Sequence, residues 1–370
     1  MPSEHKSFTL DSSILQHQSH ILPQFIWPDD EKPCAEVPPR LDVPPIDVGG
    51  FLSGEPEAVS DAIRLVDKAC RKHGFFLVVN HGIDMKLIEA AHHCASFFFE
   101  MPIDEKERAL RKPGDYRGYA SGFTNRFSSK LPWKETLSFQ CSADRHHHSN
   151  TVEKYFHDVL GEHYTAFGRV YHKYCEAMNS LSLTIMELLG LSLGVGKSYY
   201  RDYFEGNDSI MRLNYYPPCQ KPELVLGTGP HCDPTSLTIL HQDNVDGLQV
   251  FVDEKWYSIA PNLQAFVINI GNTFTALTNG IYKGSLHRAV VNRAIPRKSL
   301  AFFLCPRMDQ IVSPPKELAC KGNPRIYPDF TWKAFLEFTQ KHYRSDMQTL
   351  EAFVNWLQQN NSSNGIKVDE

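Results

Sequence analysis

The stretch Gly227-Thr228-Gly229-Pro230-His231-Cys232-Asp233-Pro234-Thr235-Ser236-Leu237-Thr238-Ile239-Leu240-His241-Gln242-Asp243 decides the fold class. A Gly/Pro loop leads into His-x-Asp, and a β-branched run, Ser236 to His241, follows at once. Similar short runs stand on either side: Ile210 to Tyr216, Leu248 to Val252, Ala265 to Ile270, His287 to Val291 and Ser299 to Cys305. Turn signals such as Asp246-Gly247 and Asn279-Gly280 separate them. Many short strands at close spacing indicate a sandwich or jelly roll and argue against a parallel sheet.

Outward from this core the periodicity changes. Toward the N-terminus, Val59, Ala62, Ile63, Val66 and Cys70 recur at helical spacing, Phe75 to Asn80 reads as a buried strand, and Met85 to Phe99 as an amphipathic helix. Lys112 to Lys130, dense in Gly, Ser, Tyr and Arg, reads as a long irregular loop. From Val152 to Leu189 a helical stripe through Phe167, Tyr171, Tyr174, Met178, Leu181 and Ile185 predicts a long helix, broken once. Phe330 to Tyr343 and Met347 to Leu357 read as C-terminal helices. The expected organisation is a flexible arm over 1–40, a helical region over 41–205, a catalytic jelly roll over 206–310 and a C-terminal helical region over 311–370.

Composition narrows the partners. The 370 residues are 42% hydrophobic and 22% charged, a globular mix, with 38 basic against 43 acidic side chains. That balance leaves no electrostatic footprint for nucleic acid or an anionic membrane, so a small-molecule partner is expected. Nine scattered cysteines without a C-x-x-C, no apolar leader and no bilayer-length apolar run point to a cytoplasmic protein, expected to be a monomer.

Seventeen histidines invite a metal. Strand residues i and i+2 point the same way, so His231-x-Asp233 and His241-x-Asp243 each aim an imidazole and a carboxylate to one side. The second pair runs directly into a turn that would hold a ligand less rigidly, yet spacing leaves both open. His287, heading a later strand, supplies a third donor. Two histidines and one carboxylate with open positions suit non-haem Fe(II). His146-His147-His148 reads as a solvated loop, and His92-His93 on a helix cannot aim both rings one way. Arg297 and Ser299, two apart on a strand about a hairpin's length beyond His287, form a receptor for a small dicarboxylate.

With these residues in place, the chain resembles the plant iron- and 2-oxoglutarate-dependent dioxygenases. The likeness runs from Val43-Pro44-Pro45-Ile46-Asp47 through His73-Gly74-Phe75-Phe76 to the C-terminal helices. Leu131-Pro132-Trp133-Lys134-Glu135-Thr136 and Asn214-Tyr215-Tyr216-Pro217-Pro218-Cys219 resemble the motifs that mark gibberellin 20-oxidases. The resemblance implies a double-stranded β-helix core flanked by helices, and it selects His231, Asp233 and His287 as Fe(II) ligands. It further implies that Arg297 and Ser299 hold the distal carboxylate of 2-oxoglutarate, that Tyr216 with Asn214 contacts the metal-proximal end, and that ascorbate serves as reductant.

The implied reaction uses O2 to oxidise C-20 of a gibberellin from methyl to alcohol to aldehyde, then removes that carbon. Such a substrate is rigid and apolar but carries carboxylate, so a mostly apolar pocket with one or two cations is expected. Lys134 is the candidate carboxylate contact, against a surface pairing with Glu135. Trp133 either lines the pocket or anchors the segment. Arg288 is read as structural, and Cys232 as facing away from the metal. Two alternatives remain at this level: a related oxygenase acting on a later gibberellin or a flavonoid, and a hormone-binding protein that kept the fold without catalysis.

Overall fold

The structure, a computed structural model, describes residues 17, 20–33, 37–112, 114–122, 130–142, 151–342 and 344–363. His146-His147-His148 lies outside the described residues. Twelve strands build the core: β1 (Ile46–Asp47), β2 (Phe75–Val79), β3 (Gly118–Ser121), β4 (Glu135–Cys141), β5 (Ser209–Tyr216), β6 (Thr228–His231), β7 (Leu237–Gln242), β8 (Leu248–Val252), β9 (Lys255–Ser258), β10 (Phe266–Ile270), β11 (His287–Ala289) and β12 (Arg297–Leu304). They form a large sheet in the order β1-β2-β10-β7-β12-β5-β4-β3 and a small one in the order β6-β11-β8-β9. All pairs in these sheets are antiparallel except β1 with β2.

The central strands are buried on both faces, but only β2 is a continuous apolar run, Phe75–Val79; β5, β7 and β12 alternate polar residues onto the cavity face. One face of the large sheet meets helices α1 (Val48–Ser53), α2 (Pro56–Lys72), α3 (Met85–Glu100), α4 (Ile103–Glu107), α5 (Thr151–Leu160) and α6 (Thr165–Ser192), the last burying Tyr171, Met178, Leu181, Ile185 and Leu189. The predicted long helix is broken at Gly161, whose φ of 109° cannot continue a helix. The other face, with the small sheet, encloses the cavity described below. Helices α7 (Ser198–Phe204), α8 (Asn272–Leu277), α9 (Trp332–Lys341) and α10 (Thr349–Ser363) complete the order, with Phe330, Phe335, Phe338, Phe353 and Trp356 packed together at the C-terminal end. Among the described residues, no helix is long and apolar enough to cross a membrane.

Three local expectations are corrected. The Lys112–Lys130 loop contains β3, which pairs with β4 and is also bonded through Tyr119 to the backbone of Ala109 and Arg111. The Gly/Pro loop before His231 is itself strand β6, paired with β11. And the step from His287 to Arg297 is no hairpin: β11 belongs to the small sheet and β12 to the large one, so the connection crosses between layers. Within the arm expected over 1–40, Ile21, Phe25 and Trp27 are buried. Phe25 packs edge-on to Trp133 at 5.0 Å, and Leu131 donates its amide to the Gln24 carbonyl.

A buried ion pair fastens β4. Lys106 of α4 donates to Glu135 at 2.8 Å and to the Phe99 carbonyl at 3.2 Å, while the Tyr119 hydroxyl of β3 donates to the same carboxylate oxygen at 2.8 Å. Glu135 is therefore no surface partner for Lys134. Removing one member strands the other in an apolar interior. Lys106→Met is expected to cost about 3–5 kcal/mol by chemical denaturation, and adding Glu135→Leu should recover most of that loss.

Candidate active site

Strand pairing makes the histidine cluster. His231 of β6 stands directly opposite His287 of β11, with ring centroids 4.3 Å apart, and Asp233 lies two residues beyond His231. The Asp233 oxygens come within 3.5 Å of His231 Nε2 and 3.8 Å of His287 Nε2. One donor atom from each of the three lies within 4.8 Å of the others. Among the described residues this is the one group of three or more such side chains that meets so closely.

The surroundings aim these donors. His231 Nδ1 donates to the Gly229 carbonyl at 2.9 Å and His287 Nδ1 to the Ser285 carbonyl at 3.0 Å, which fixes each ring with its Nε2 edge toward Asp233. The Thr238 hydroxyl donates to Asp233 at 2.6 Å. Burial alone would raise the Asp233 carboxyl, but the charge of His287 and the bonds from His231 and Thr238 overturn it and hold Asp233 well below the usual carboxylate range. Cys232 points elsewhere, its sulfur toward Gly284.

The competing pair faces the wrong way. In β7, Gln242 shares a row with Ser299 and Asn214 on the cavity side, so His241 emerges on the helical side. There its Nδ1 meets His92 Nε2 of α3 at 2.8 Å and its Nε2 meets the Leu263 carbonyl at 3.0 Å. Asp243 accepts the amides of Lys298 and Val245.

A second constellation lies where β12 crosses β5. Register sets Arg297 against Tyr216 and Ser299 against Asn214. The Arg297 guanidinium sits 5.0 Å over the Tyr216 ring and donates to Gln242 at 2.7 Å; Asn214 donates to Ser299 at 3.2 Å. Tyr216 thus stands beside Arg297, and Asn214 beside Ser299. Two glycines permit this packing: a Cβ at Gly247 would lie 2.5 Å from the Arg297 side chain, and one at Gly227 would lie 2.5 Å from the Tyr216 ring.

Residues 207–306 match the 2OG-Fe(II) oxygenase superfamily, and residues 43–159 match the N-terminal region of the non-haem dioxygenase in morphine synthesis. Gibberellin 20 oxidase 1 of Arabidopsis thaliana is 64% identical over 345 residues, covering 93% of this chain and 91% of that protein. Gibberellin 20 oxidase 1-B of Triticum aestivum is 60% identical over 350 residues, covering 94% and 95%. The chain belongs to the gibberellin 20-oxidase family of 2-oxoglutarate and Fe(II) oxygenases. The crystal structure of JOX2 in complex with 2OG, Fe and JA superposes on this family member with a TM-score of 0.80 at 30% identity, covering 93% of this chain and 97% of that one. A rice dioxygenase for auxin oxidation gives 0.69 at 26% identity, covering 84% and 99%.

The residues fit the groups that the oxygenase family uses. Two imidazole nitrogens and one carboxylate form a donor set suited to Fe(II). Arg297 is 1% exposed, and its buried Nε has no hydrogen-bond partner among the described residues, as a site built for a carboxylate requires. Both constellations open into one cavity of about 400 Å³.

The family cavity also holds residues that the sequence did not single out. Arg111 and Arg212 line it, and both donate to the Ser138 hydroxyl, at 3.3 and 2.9 Å. Burial lowers Arg111 to about 10, which leaves it charged at neutral pH. Nothing in the sequence around Arg111 marks it, because its loop reaches the cavity only through the β3–β4 pairing; Arg212 was legible in principle as the i−2 neighbour of Asn214. Trp332, Leu336 and Thr339 of α9 close one side. Trp133 is not among the lining residues: its ring is buried against Phe25 and its indole N–H donates to the Pro217 carbonyl at 3.1 Å, so it anchors the segment. Arg288 turns its guanidinium over Trp256 and bonds Gln249 and the carbonyls of Glu31 and Lys32, a structural tie.

Two outcomes follow from this geometry. Asp233→Ala should abolish metal binding in a Mn(II) titration while the circular dichroism spectrum is kept, and Asp243→Ala should leave metal binding intact. Burial, then the charges of His241 and Lys298, push His92 down to about 3. In the unfolded chain it takes up its proton near its ordinary value, so its contribution to stability is complete above about pH 6.5 and is lost as pH falls toward 3. His92→Gln should flatten the stability curve over that acid range in urea denaturation.

Proposed function

We propose that the protein oxidises C-20 of C20 gibberellins in successive turnovers, methyl to alcohol to aldehyde, followed by loss of the carbon to give C19 lactones, in gibberellin biosynthesis. The observation that carries this reading is likeness at 53–64% identity to gibberellin 20 oxidases of three plants over nearly the whole chain, joined to a complete His-Asp-His and Arg-x-Ser set in one cavity. In this reading His231, Asp233 and His287 hold Fe(II), and Arg297 and Ser299, with Tyr216 and Asn214 beside them, hold 2-oxoglutarate. The bound iron and cosubstrate supply the oxidising power from O2, with succinate and carbon dioxide as coproducts.

The chain's own residues then position and shield. The two imidazoles, fixed through Nδ1, keep their Nε2 atoms aimed inward. Thr238 keeps Asp233 oriented and charged. Leu240, Leu248, Ala301, Phe303, Trp332 and Leu336 give the cavity an apolar wall for a rigid diterpenoid and exclude water from the reacting carbon. Arg111 and Arg212 supply the cations for the substrate carboxylate. The cysteines are unpaired among the described residues and mostly buried, which supports a reducing, cytoplasmic location.

Purified protein given Fe(II), 2-oxoglutarate, ascorbate and a C20 gibberellin should yield succinate together with the C-20 alcohol, aldehyde and C19 lactone by mass spectrometry. Oxidation at another carbon, or none, overturns the reading. Arg212→Met should raise KM for the gibberellin about tenfold, the order expected for one charge-assisted hydrogen bond, with KM for 2-oxoglutarate little changed.

A further inference from the structure

Lys134 is a cation in the cavity wall whose neighbours differ from those expected of a substrate contact. It stands one residue ahead of β4 and two before Thr136, on the cavity face. Continuing the β4–β5 register, in which Glu135 pairs with Tyr215, brings Lys134 beside Tyr216, and Tyr216 pairs in turn with Arg297. The Lys134 ammonium donates to Thr228 Oγ1 at 2.9 Å, and the same oxygen lies 3.4 Å from the Tyr216 hydroxyl. Thr228 and Tyr216 are 7% and 5% exposed, so solvent does not supply alternative partners freely.

The donor inventory gives this chain a direction. An ammonium carries donors only, so Thr228 must accept from Lys134. Its single O–H is then available to the phenol oxygen of Tyr216. With that oxygen occupied as an acceptor, the phenol O–H is turned outward to an acceptor in the cavity. The Arg297 guanidinium stacks over the same ring, and its buried Nε has no hydrogen-bond partner among the described residues. The 3.4 Å step is longer than a full O–H···O bond and is the weakest link of the three.

We propose that Lys134, Thr228 and Tyr216 form a polarised relay that makes the Tyr216 hydroxyl a donor to the distal carboxylate of 2-oxoglutarate, so that Lys134 positions the cosubstrate and does not bind the gibberellin. The relay rests on the oxygenase reading above, since it needs 2-oxoglutarate at Arg297 and Ser299. It also explains why the segment is held so firmly: Glu135, next to Lys134, is locked by Lys106 and Tyr119, and Trp133 by Phe25 and Pro217. A long, flexible lysine can set a hydrogen-bond direction only if its backbone is fixed.

The test is calorimetric binding of 2-oxoglutarate to the full chain with Mn(II) in place of iron, alongside gibberellin binding. Lys134→Met and Thr228→Val should each weaken 2-oxoglutarate about 5- to 10-fold and leave gibberellin affinity within about twofold. Thr228→Ser and Lys134→Arg, which keep the hydroxyl and the cation, should bind nearly as wild type, which separates the relay from misfolding. The double change Lys134→Met with Tyr216→Phe should be no worse than Tyr216→Phe alone. Gibberellin affinity falling while 2-oxoglutarate binding holds, no change in either, or additive losses in the double variant would each overturn the relay. Failure of the wild-type chain to bind 2-oxoglutarate at all would instead strike the oxygenase reading itself.

Discussion

A carboxylate buried between two imidazoles is the constraint from which the site is built. Asp233 is 4% exposed, and an isolated charge at that depth would be protonated. It stays ionised because His231 and His287 stand on either side and Thr238 donates from a third. Those three partners come from three strands in two sheets, β6, β11 and β7. The charge therefore survives only if both sheets close around it in register. The two carbonyls that fix the imidazoles, of Gly229 and Ser285, come from the backbone, so the metal-facing geometry is a property of the closed fold more than of any one side chain.

The large sheet lays out the rest of the cavity in rows. Thr136, Asn214, Ser299 and Gln242 form one row across four strands, and Ser138, Arg212, Ala301 and Leu240 the next but one. Arg297, Ser299, Asn214 and Tyr216 gather at one end of the β5–β12 pair, and Ala301 and Phe303 lie farther along β12. A small polar cosubstrate and a large apolar substrate can thus share one cavity without competing for the same wall. Cations stand at both places, Arg297 and Lys134 at one and Arg111 and Arg212 at the other, each packed among hydroxyls or aromatic rings.

Much of this was legible along the chain. The β-branched runs and their turns announced an antiparallel core, and the i, i+2 rule singled out His-x-Asp and Arg-x-Ser. The rule could not rank His231 against His241, because alternation says that two residues share a face but not which face is the cavity. Likewise β3 and β6 were hidden: Gly-rich strands carry little intrinsic preference and form when a partner edge is presented. The Lys106–Glu135 pair had no signal at all, since the two residues are far apart in sequence and each alone reads as surface charge.

What the sequence by itself determined is the chemistry on offer: two imidazoles and a carboxylate at strand spacing, a guanidinium two residues from a hydroxyl, and a segment, Leu131 to Thr136, similar to that of gibberellin 20-oxidases. What only the tertiary structure decided is direction. It turned His231 inward and His241 outward, set Tyr216 against Arg297, kept Trp133 out of the cavity and brought Arg111 and Arg212 into it. The physical reason is that residue type and spacing are local, whereas which side of a strand is enclosed depends on sheets closing across long separations in the chain.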